Sequence, residues 1–450
     1  MASSLRLPPG PRGNPVLGSI PDIAKDNVGL FMTAWRKYGD IVRFRGPLTL
    51  FLLVHPDYVK HVLQDNHLKY PRPEFVASKL KGVVGDGLVA NEGDVWLRSR
   101  RLAQPAFHRQ RIASFATLMT DTAQEMLDKW EGIAASGQAV DIKSEMMHVS
   151  LAVLAKALFK AEWGKYAAVV EPAVGIALAH TNRRLTSPID PQRFPVASTR
   201  QFNKAMSDLD AIVYKLIADR RASKEDRGDL VTMLIQAKDE ETGATFDDKQ
   251  VRDEVTGFLI AGHETVSAGL TWTWYLLAKN PEAWRRLRAE VKAVLGDRTP
   301  VLEDIPKLEY TTMVLQEAMR LYPPIFVLMR CNQQEDEVGG YRIPAKSNVV
   351  ICPYVTHRHP DFWDNPEGFD PERFTPERSA GRHRTAYLPF AVGPRKCIGD
   401  TFAMLEMQMI VAMAAQRFKL NLAPGLPVVP TPAISLRPKD ALTMHIERVS

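Results

Sequence analysis

The chain has 450 residues, 45% of them hydrophobic, which is enough for a sizeable buried core. A net charge of +6 is modest for this length and gives little ground for a nucleic-acid binder. Three cysteines, Cys331, Cys352 and Cys397, are an odd number without paired spacing. That argues against a disulfide framework and for a reducing, cytoplasmic setting. Cys331 and Cys352 read as small core residues.

The chain opens with Leu7-Pro8-Pro9-Gly10-Pro11, an extended strap, and no early apolar run is long enough for a signal peptide or membrane helix. A soluble protein is expected. Segments 41–45 and 49–54 read as short strands across the Gly46-Pro47 turn, followed by a helix over 56–64. A basic helix is expected over 94–107. Most of 115–235 reads as helical, broken by a loop around 188–195. Asp248–Lys279 contains no proline and is expected to be one helix, ended by Asn280-Pro281, which cap and start a further helix ending near Gly296. Segment 308–321 is another helix, stopped by Pro323-Pro324. Segment 338–351 reads as a hairpin turning at Gly339-Gly340. The Ala/Met-rich run 401–418 reads as a buried helix, and 434–446 as a second hairpin. Length alone would allow about three domains. No linker, repeat or charge block divides the chain, so a single mainly helical domain over 1–450 with small β-sheets (α+β) is expected, with no fused reductase.

The residues with chemical potential gather in four places. In Phe390-Ala391-Val392-Gly393-Pro394-Arg395-Lys396-Cys397-Ile398-Gly399 a lone cysteine sits beside two cations and ahead of a helix. The positive helix end and the cations favour a thiolate, which can act as a nucleophile or a metal ligand. Gly393 and Gly399 leave room for something flat to approach, and Phe390 can pack on it. A buried structural cysteine is the plain alternative. In Ala261-Gly262-His263-Glu264-Thr265, glycine and threonine interrupt a helix that would be better served by alanine. Thr265 can bond back to a carbonyl four residues earlier. The groove at Gly262 can take a small ligand, or it marks a close helix packing contact. Glu317 and Arg320 share one face of an apolar helix, and a buried pair there wants a third partner, for which Arg373 is available. Trp96 and Arg100 are four apart and hence on one face.

Together these four segments, F-x-x-G-x-R-x-C-x-G, A-G-x-E-T, E-x-x-R with P-E-R-F, and W-x-x-x-R, resemble the cytochrome P450 family along most of the chain. The resemblance implies that family's fold, one large triangular helical domain with haem b between the long central helix and the Cys-loop helix. It implies Cys397 as the iron ligand and Thr265 with Glu264 as the oxygen-activating alcohol and acid. Trp96, Arg100, Arg330 and Arg395 would hold the propionates, Phe390, Gly393 and Gly399 would shape the haem loop, and Glu317, Arg320 and Arg373 would be scaffold. His263 fills the variable place of its motif and gets no role.

A thiolate ligand favours O–O cleavage over reversible oxygen binding. The activity implied is therefore haem-thiolate monooxygenation, hydroxylation or epoxidation, with the second oxygen leaving as water. A peroxide-driven peroxygenase would not need the acid–alcohol pair. A haem sensor would want an output domain. A cysteine hydrolase would need a histidine beside Cys397. With no iron–sulfur cysteine spacing and no flavin module, electrons should come from a separate ferredoxin or flavodoxin with its reductase. Arg98, Arg101, Arg382, His383, Arg384 and Lys396 are candidates for its docking patch. Phe75, Val76 and Leu80 in the loop before Trp96, with Phe258, Ala261, Ile325, Phe326 and Ile434, are candidate pocket residues. Their apolar character points to a lipophilic substrate of fatty acid, terpenoid or steroid type, handled by a monomer.

Overall fold

The computed structural model describes residues 5–47, 49–160, 163–187, 192, 196–223, 227–425 and 427–449, so most of the 188–195 loop expected from the sequence lies outside the described residues. The chain divides into two compact units. One comprises Met1–Val76 with Gln316–Cys397, the other Ala77–Leu315 with Ile398–Ser450.

The first unit is built on a four-stranded sheet in the order Ile41–Phe44, Leu50–Leu53, Asn348–Ile351, Leu328–Cys331. The first two strands pair antiparallel with Ile41 opposite Leu53, across the Gly46-Pro47 turn. Leu50–Leu53 then runs parallel to Asn348–Ile351. These two central strands are buried throughout, as is usual for a strand covered on both faces. The Gly339-Gly340 turn joins only Asp336–Val338 to Tyr341–Ile343. The expected hairpin over 338–351 is thus shorter, because Asn348–Ile351 leaves it for the larger sheet. Cys352 is buried beside that sheet, but Cys331, on the edge strand, is only half buried and is not a core residue. The Pro-rich start is an extended strap whose Pro9 carbonyl accepts from Arg43 N at 2.8 Å.

The second unit is helical. Its axis is Asp248–Lys279, 32 residues and about 48 Å long. Asp247 and Gln250 form a reciprocal capping box at its start (2.8 and 3.0 Å). Pro281 begins the next helix, Pro281–Leu295, as expected, but Asn280 does not cap it: its amide donates back to Leu276 O at 2.7 Å. Helices Ile142–Phe159 and Asp400–Arg417 are apolar around most of their circumference and sit in the core with it. Phe75, Val76 and Leu80 lie on a helix, Glu74–Val84, not a loop, since Ala77, Leu80, Val83 and Val84 recur at helical spacing. At the C-terminus the expected hairpin splits. Ile434 sits in the turn between Pro430–Pro432 and Leu436–Pro438, whereas Thr443–Arg448 pairs with Phe418–Leu422 and Ala139–Asp141.

Candidate functional site

In the first unit, Glu317 anchors a buried ionic cluster. Arg320 meets it with two parallel bonds, Nε to Oε2 at 2.6 Å and a terminal nitrogen to Oε1 at 2.7 Å, and Arg373 Nε reaches Oε1 at 3.2 Å. Glu317 and Arg320 are 0% exposed. Arg320 spends its other N–H groups on the carbonyls of His357 (3.0 Å), Pro366 (2.7 Å) and Gly368 (2.9 Å). Every charge is thus paired and hydrogen-bonded, the condition under which burial is tolerable. His357, which the sequence reading missed, carries the cluster onward. Its Nδ1 donates to Arg320 O (3.2 Å) and its Nε2 accepts from Leu388 N (2.7 Å). This needs a neutral ring, and burial pushes the imidazole down to about 3. The cluster therefore fixes the residue two before Phe390.

The Cys397 loop follows. Cys397 N donates to Phe390 O at 2.9 Å and Lys396 N to Gly393 O at 3.0 Å, closing a tight loop that leaves Cys397 exposed. Gly393 has φ +74°, and a Cβ there would lie 2.2 Å from the carbonyl oxygen of Leu63. That carbonyl belongs to a single π-helical turn, His61–Asp65. Gly393 is therefore required by this backbone approach. Gly399, at φ −94°, adopts a conformation open to any residue and stands before helix Asp400–Arg417. Arg330 and Arg395 are half buried.

In the second unit, the long helix is buried throughout 253–274 except at Ala261, Gly262 and Thr265. The motif segment is thus the accessible strip of an otherwise enclosed helix. Thr265 Oγ1 donates to Ala261 O at 2.9 Å, as the sequence predicts. A Cβ on Gly262 would lie 2.8 Å from Leu154 Cδ2, so this glycine admits a close packing contact from helix Ile142–Phe159. Glu264 turns inward and its Oε1 accepts from Ser435 Oγ at 2.9 Å. Its Oε2 has no partner among the described residues. Beside it lies a cavity of about 10 Å³ lined by Lys143, Met147, Ser435 and Arg437 among others. Burial raises the Glu264 carboxyl above the usual range, against the pull of Ser435 and Arg437. His263 is buried and bonds to Leu259 O at 2.6 Å. Trp96 and Arg100 are half buried on helix Gly93–Ala103, and Trp96 packs against the core.

The proposed pocket residues divide. Leu80, Phe258 and Ile434 share the core of the second unit, where Phe258 meets Phe107 edge-on at 5.1 Å, and Ala261 is exposed. In the first unit Phe75 is 39% exposed, Val76 and Ile325 are half buried, and Phe326 is buried. Phe258 and Phe326 are thus both buried. Several cations of the expected docking patch are already committed. Arg101 pairs with Glu241 at 2.5 Å, Arg98 donates to Thr245 O, His383 pairs with Asp57, and Arg382 lies over Trp363 while bonding Arg373 O. Arg384 and Lys396 are exposed.

The family model described as Cytochrome P450 matches residues 8–444. The chain is 37% identical to cyclooctatin synthase of Streptomyces melanosporofaciens over 433 residues, covering 95% of this chain and 92% of that protein. It is 34% identical to cyclooctat-9-en-7-ol 5-monooxygenase of the same organism, covering 91% and 89%. Protein LUTEIN DEFICIENT 5, chloroplastic, of Arabidopsis thaliana is 33% identical, with 89% of this chain and 70% of that one covered. Among solved structures, the cytochrome P450DA heme domain superposes with a TM-score of 0.90 at 26% identity, covering 99% and 98%.

Proposed function

Because this chain belongs to the cytochrome P450 family and is thus a haem-thiolate monooxygenase with haem b as cofactor, we propose that Cys397 is the thiolate ligand, with Thr265 and Glu264 handling protons. Haem b suits the residues present: an exposed thiol, an accessible helix strip at Ala261, Gly262 and Thr265, and half-buried cations at Arg100, Arg330 and Arg395 that match two propionates. When bound, the cofactor supplies dioxygen reduction and oxygen-atom transfer.

The protein's own part is positioning and proton supply. Thr265 offers its hydroxyl on the accessible strip, where it can trade its bond to Ala261 O for one to a ligand. Glu264, held by Ser435 and kept protonated to higher pH by burial, is the reservoir behind it. Arg100, Arg330 and Arg395 would neutralise the propionates and Trp96 would offer them its indole N–H, Phe390, Gly393 and Gly399 would shape the loop, and Glu317, Arg320 and Arg373 would hold its base. The observation that carries this reading is that the only accessible stretch of the long helix between 253 and 274 is the one bearing Thr265.

Electrons come from a separate ferredoxin or flavodoxin, for whose docking Arg384 and Lys396 are exposed cations. The substrate is lipophilic, of fatty acid, terpenoid or steroid type. Support comes from Ala261 and Ile434 and from a relative named for oxygenating cyclooctat-9-en-7-ol, an unsaturated alcohol. The test is reconstitution with a ferredoxin and its reductase under ¹⁸O₂, using that alcohol as the first probe. One labelled oxygen per product is expected. Equal turnover from hydrogen peroxide without reductase would overturn the reading in favour of a peroxygenase.

A further inference from the structure

The helix that begins at Pro56 does not end as an α-helix. After Pro56–Lys60 it widens into the π-helical turn His61–Asp65, closed by Asn66 N donating to His61 O at 2.9 Å. Such turns are rare and occur frequently at functional sites. His61 anchors this one. Its Nε2 donates to Asp336 Oδ2 at 2.8 Å and its Nδ1 accepts from Asn66 Nδ2 at 3.2 Å, which uses both ring nitrogens. Asn66 Nδ2 also donates to His61 O at 3.3 Å, alongside the turn's own bond. Asp336 takes a second donor on the same oxygen, the Tyr70 hydroxyl at 2.7 Å, and Glu337 N on the other at 2.8 Å. Burial would raise the Asp336 carboxyl, but these donors outweigh it and hold it below the ordinary range. The His61 bond therefore ends on a carboxylate, which strengthens it.

The turn bears on the Cys397 loop. Leu63, its middle residue, sets its carbonyl against Gly393: a Cβ on that glycine would lie 2.2 Å from Leu63 O and 3.1 Å from Gln64 Cα. The Gly393 carbonyl accepts from Lys396 N, one of the two backbone bonds that close the loop. Val62, Leu63 and Tyr70 share an apolar cluster with Leu388, and Val392 packs on it. The loop thus rests on two supports. One runs through Glu317, Arg320 and His357 to Leu388. The other runs from Asp336 and His61 through Leu63 to Gly393, four residues before Cys397.

We propose that His61 is a positioning residue for Cys397: anchored to Asp336 and Asn66, it sets the π turn, so that the Leu63 carbonyl seats Gly393 and fixes the loop that carries the sulfur. This role presupposes Cys397 as the iron ligand, but it involves none of the four motif segments except the loop itself. Groups that never touch a metal still orient its ligands and tune their electron donation. Releasing the turn frees the loop to widen, lets water hydrogen-bond the thiolate and lowers the charge it gives to iron.

The haem-loaded protein tests this through its spectrum and reduction potential rather than through turnover. In His61→Ala the reduced carbon monoxide complex is expected to lose its thiolate-type spectrum about tenfold faster than in the parent, and the potential should rise. His61→Gln, whose amide N–H still reaches toward Asp336, should restore most of both. Asn66→Ala is a milder release of the same turn and should shift both readouts in the same direction, which decides the matter if His61→Ala fails to load haem. Tyr70→Phe removes a donor from the same Asp336 oxygen but leaves the turn its anchor, so it should lower thermal stability without moving the potential. An unmoved potential and spectral lifetime in His61→Ala or, where that variant stays empty, in Asn66→Ala would overturn the proposal, as would an equal shift in Tyr70→Phe. A parent protein without the thiolate-type spectrum would instead overturn the assignment of Cys397, and this role with it.

Discussion

Glu264 and Ser435 stand 171 residues apart in the chain and 2.9 Å apart in space, both buried, while Thr265 turns its hydroxyl to Ala261 O on the accessible strip. The alcohol and the acid of one motif thus face different surroundings. The unpartnered oxygen of Glu264 adjoins a cavity of about 10 Å³, the size of a single water, between Lys143 and Arg437.

Ser435→Ala should shift the pH dependence of coupled turnover. The serine hydroxyl stabilises the ionised acid, so its loss raises the Glu264 pKa further, and the carboxyl keeps its proton to higher pH. The alkaline limb of the product-per-electron profile is expected to move up. Glu264→Gln should abolish that limb and cut coupled turnover about 10²-fold. A Ser435→Ala profile superimposable on the parent's would dissociate this serine from the acid.

Thr265→Ala should leave haem binding intact, because among the described residues its hydroxyl is engaged only with Ala261 and Gly262 carbonyls. Reducing equivalents should instead appear as hydrogen peroxide. Loss of positioned proton delivery corresponds to about 10²–10⁴-fold, or roughly 3–5 kcal/mol. Peroxide yield equal to the parent's would remove Thr265 from the proton path.

Cys397→Ser should lose the thiolate-type spectrum of the reduced carbon monoxide complex, since a hydroxyl is a harder and poorer donor to iron. The loop itself should persist: its closing bonds, Cys397 N to Phe390 O and Lys396 N to Gly393 O, are backbone bonds. Retention of the spectrum would mean that another residue ligates.

Local signals made part of this legible. The long helix is readable to the residue because it lacks proline and stops at Asn280-Pro281. The four motifs were readable as strings, and Arg373 was found as the partner of Glu317 because a buried pair demands one. What escaped were relationships made only by the fold. Nothing near His357 tells that its ring bridges Arg320 and Leu388, nor near Glu254 that Leu88 will need its carboxylate. Asn348–Ile351 was misassigned to a hairpin because its parallel partner, Leu50–Leu53, is remote in the chain. The arginines expected to dock a partner looked free only because Glu241 and Trp363 could not be placed against them.

Glu317→Ala should damage folding and haem retention rather than the chemistry. It strands the Arg320 and Arg373 charges inside the first unit, at a cost of about 3–5 kcal/mol. Glu317→Gln keeps the shape and several bonds and should cost less. Thermal unfolding with haem release followed in parallel measures both. A fully loaded, equally stable but inactive Glu317→Ala protein would place this residue in the reaction instead.

Glu254, buried on the long helix against the Leu88 amide and the Ser99 hydroxyl, makes a prediction about stability. Its folded carboxyl is raised from 4.5 to about 7, chiefly by burial. Between those values the folded protein keeps a proton that the unfolded chain has released. Stability therefore falls as pH rises through that window, by about 3 kcal/mol in all, and levels off above about 7. Glu254→Gln cannot titrate and should lack this slope. The difference in unfolding free energy between parent and variant, followed from pH 5 to pH 8, should move against the parent as pH increases. Profiles that stay parallel across the window would mean that Glu254 titrates as an ordinary carboxyl, and that the Leu88 amide and Ser99 hydroxyl fully offset its burial.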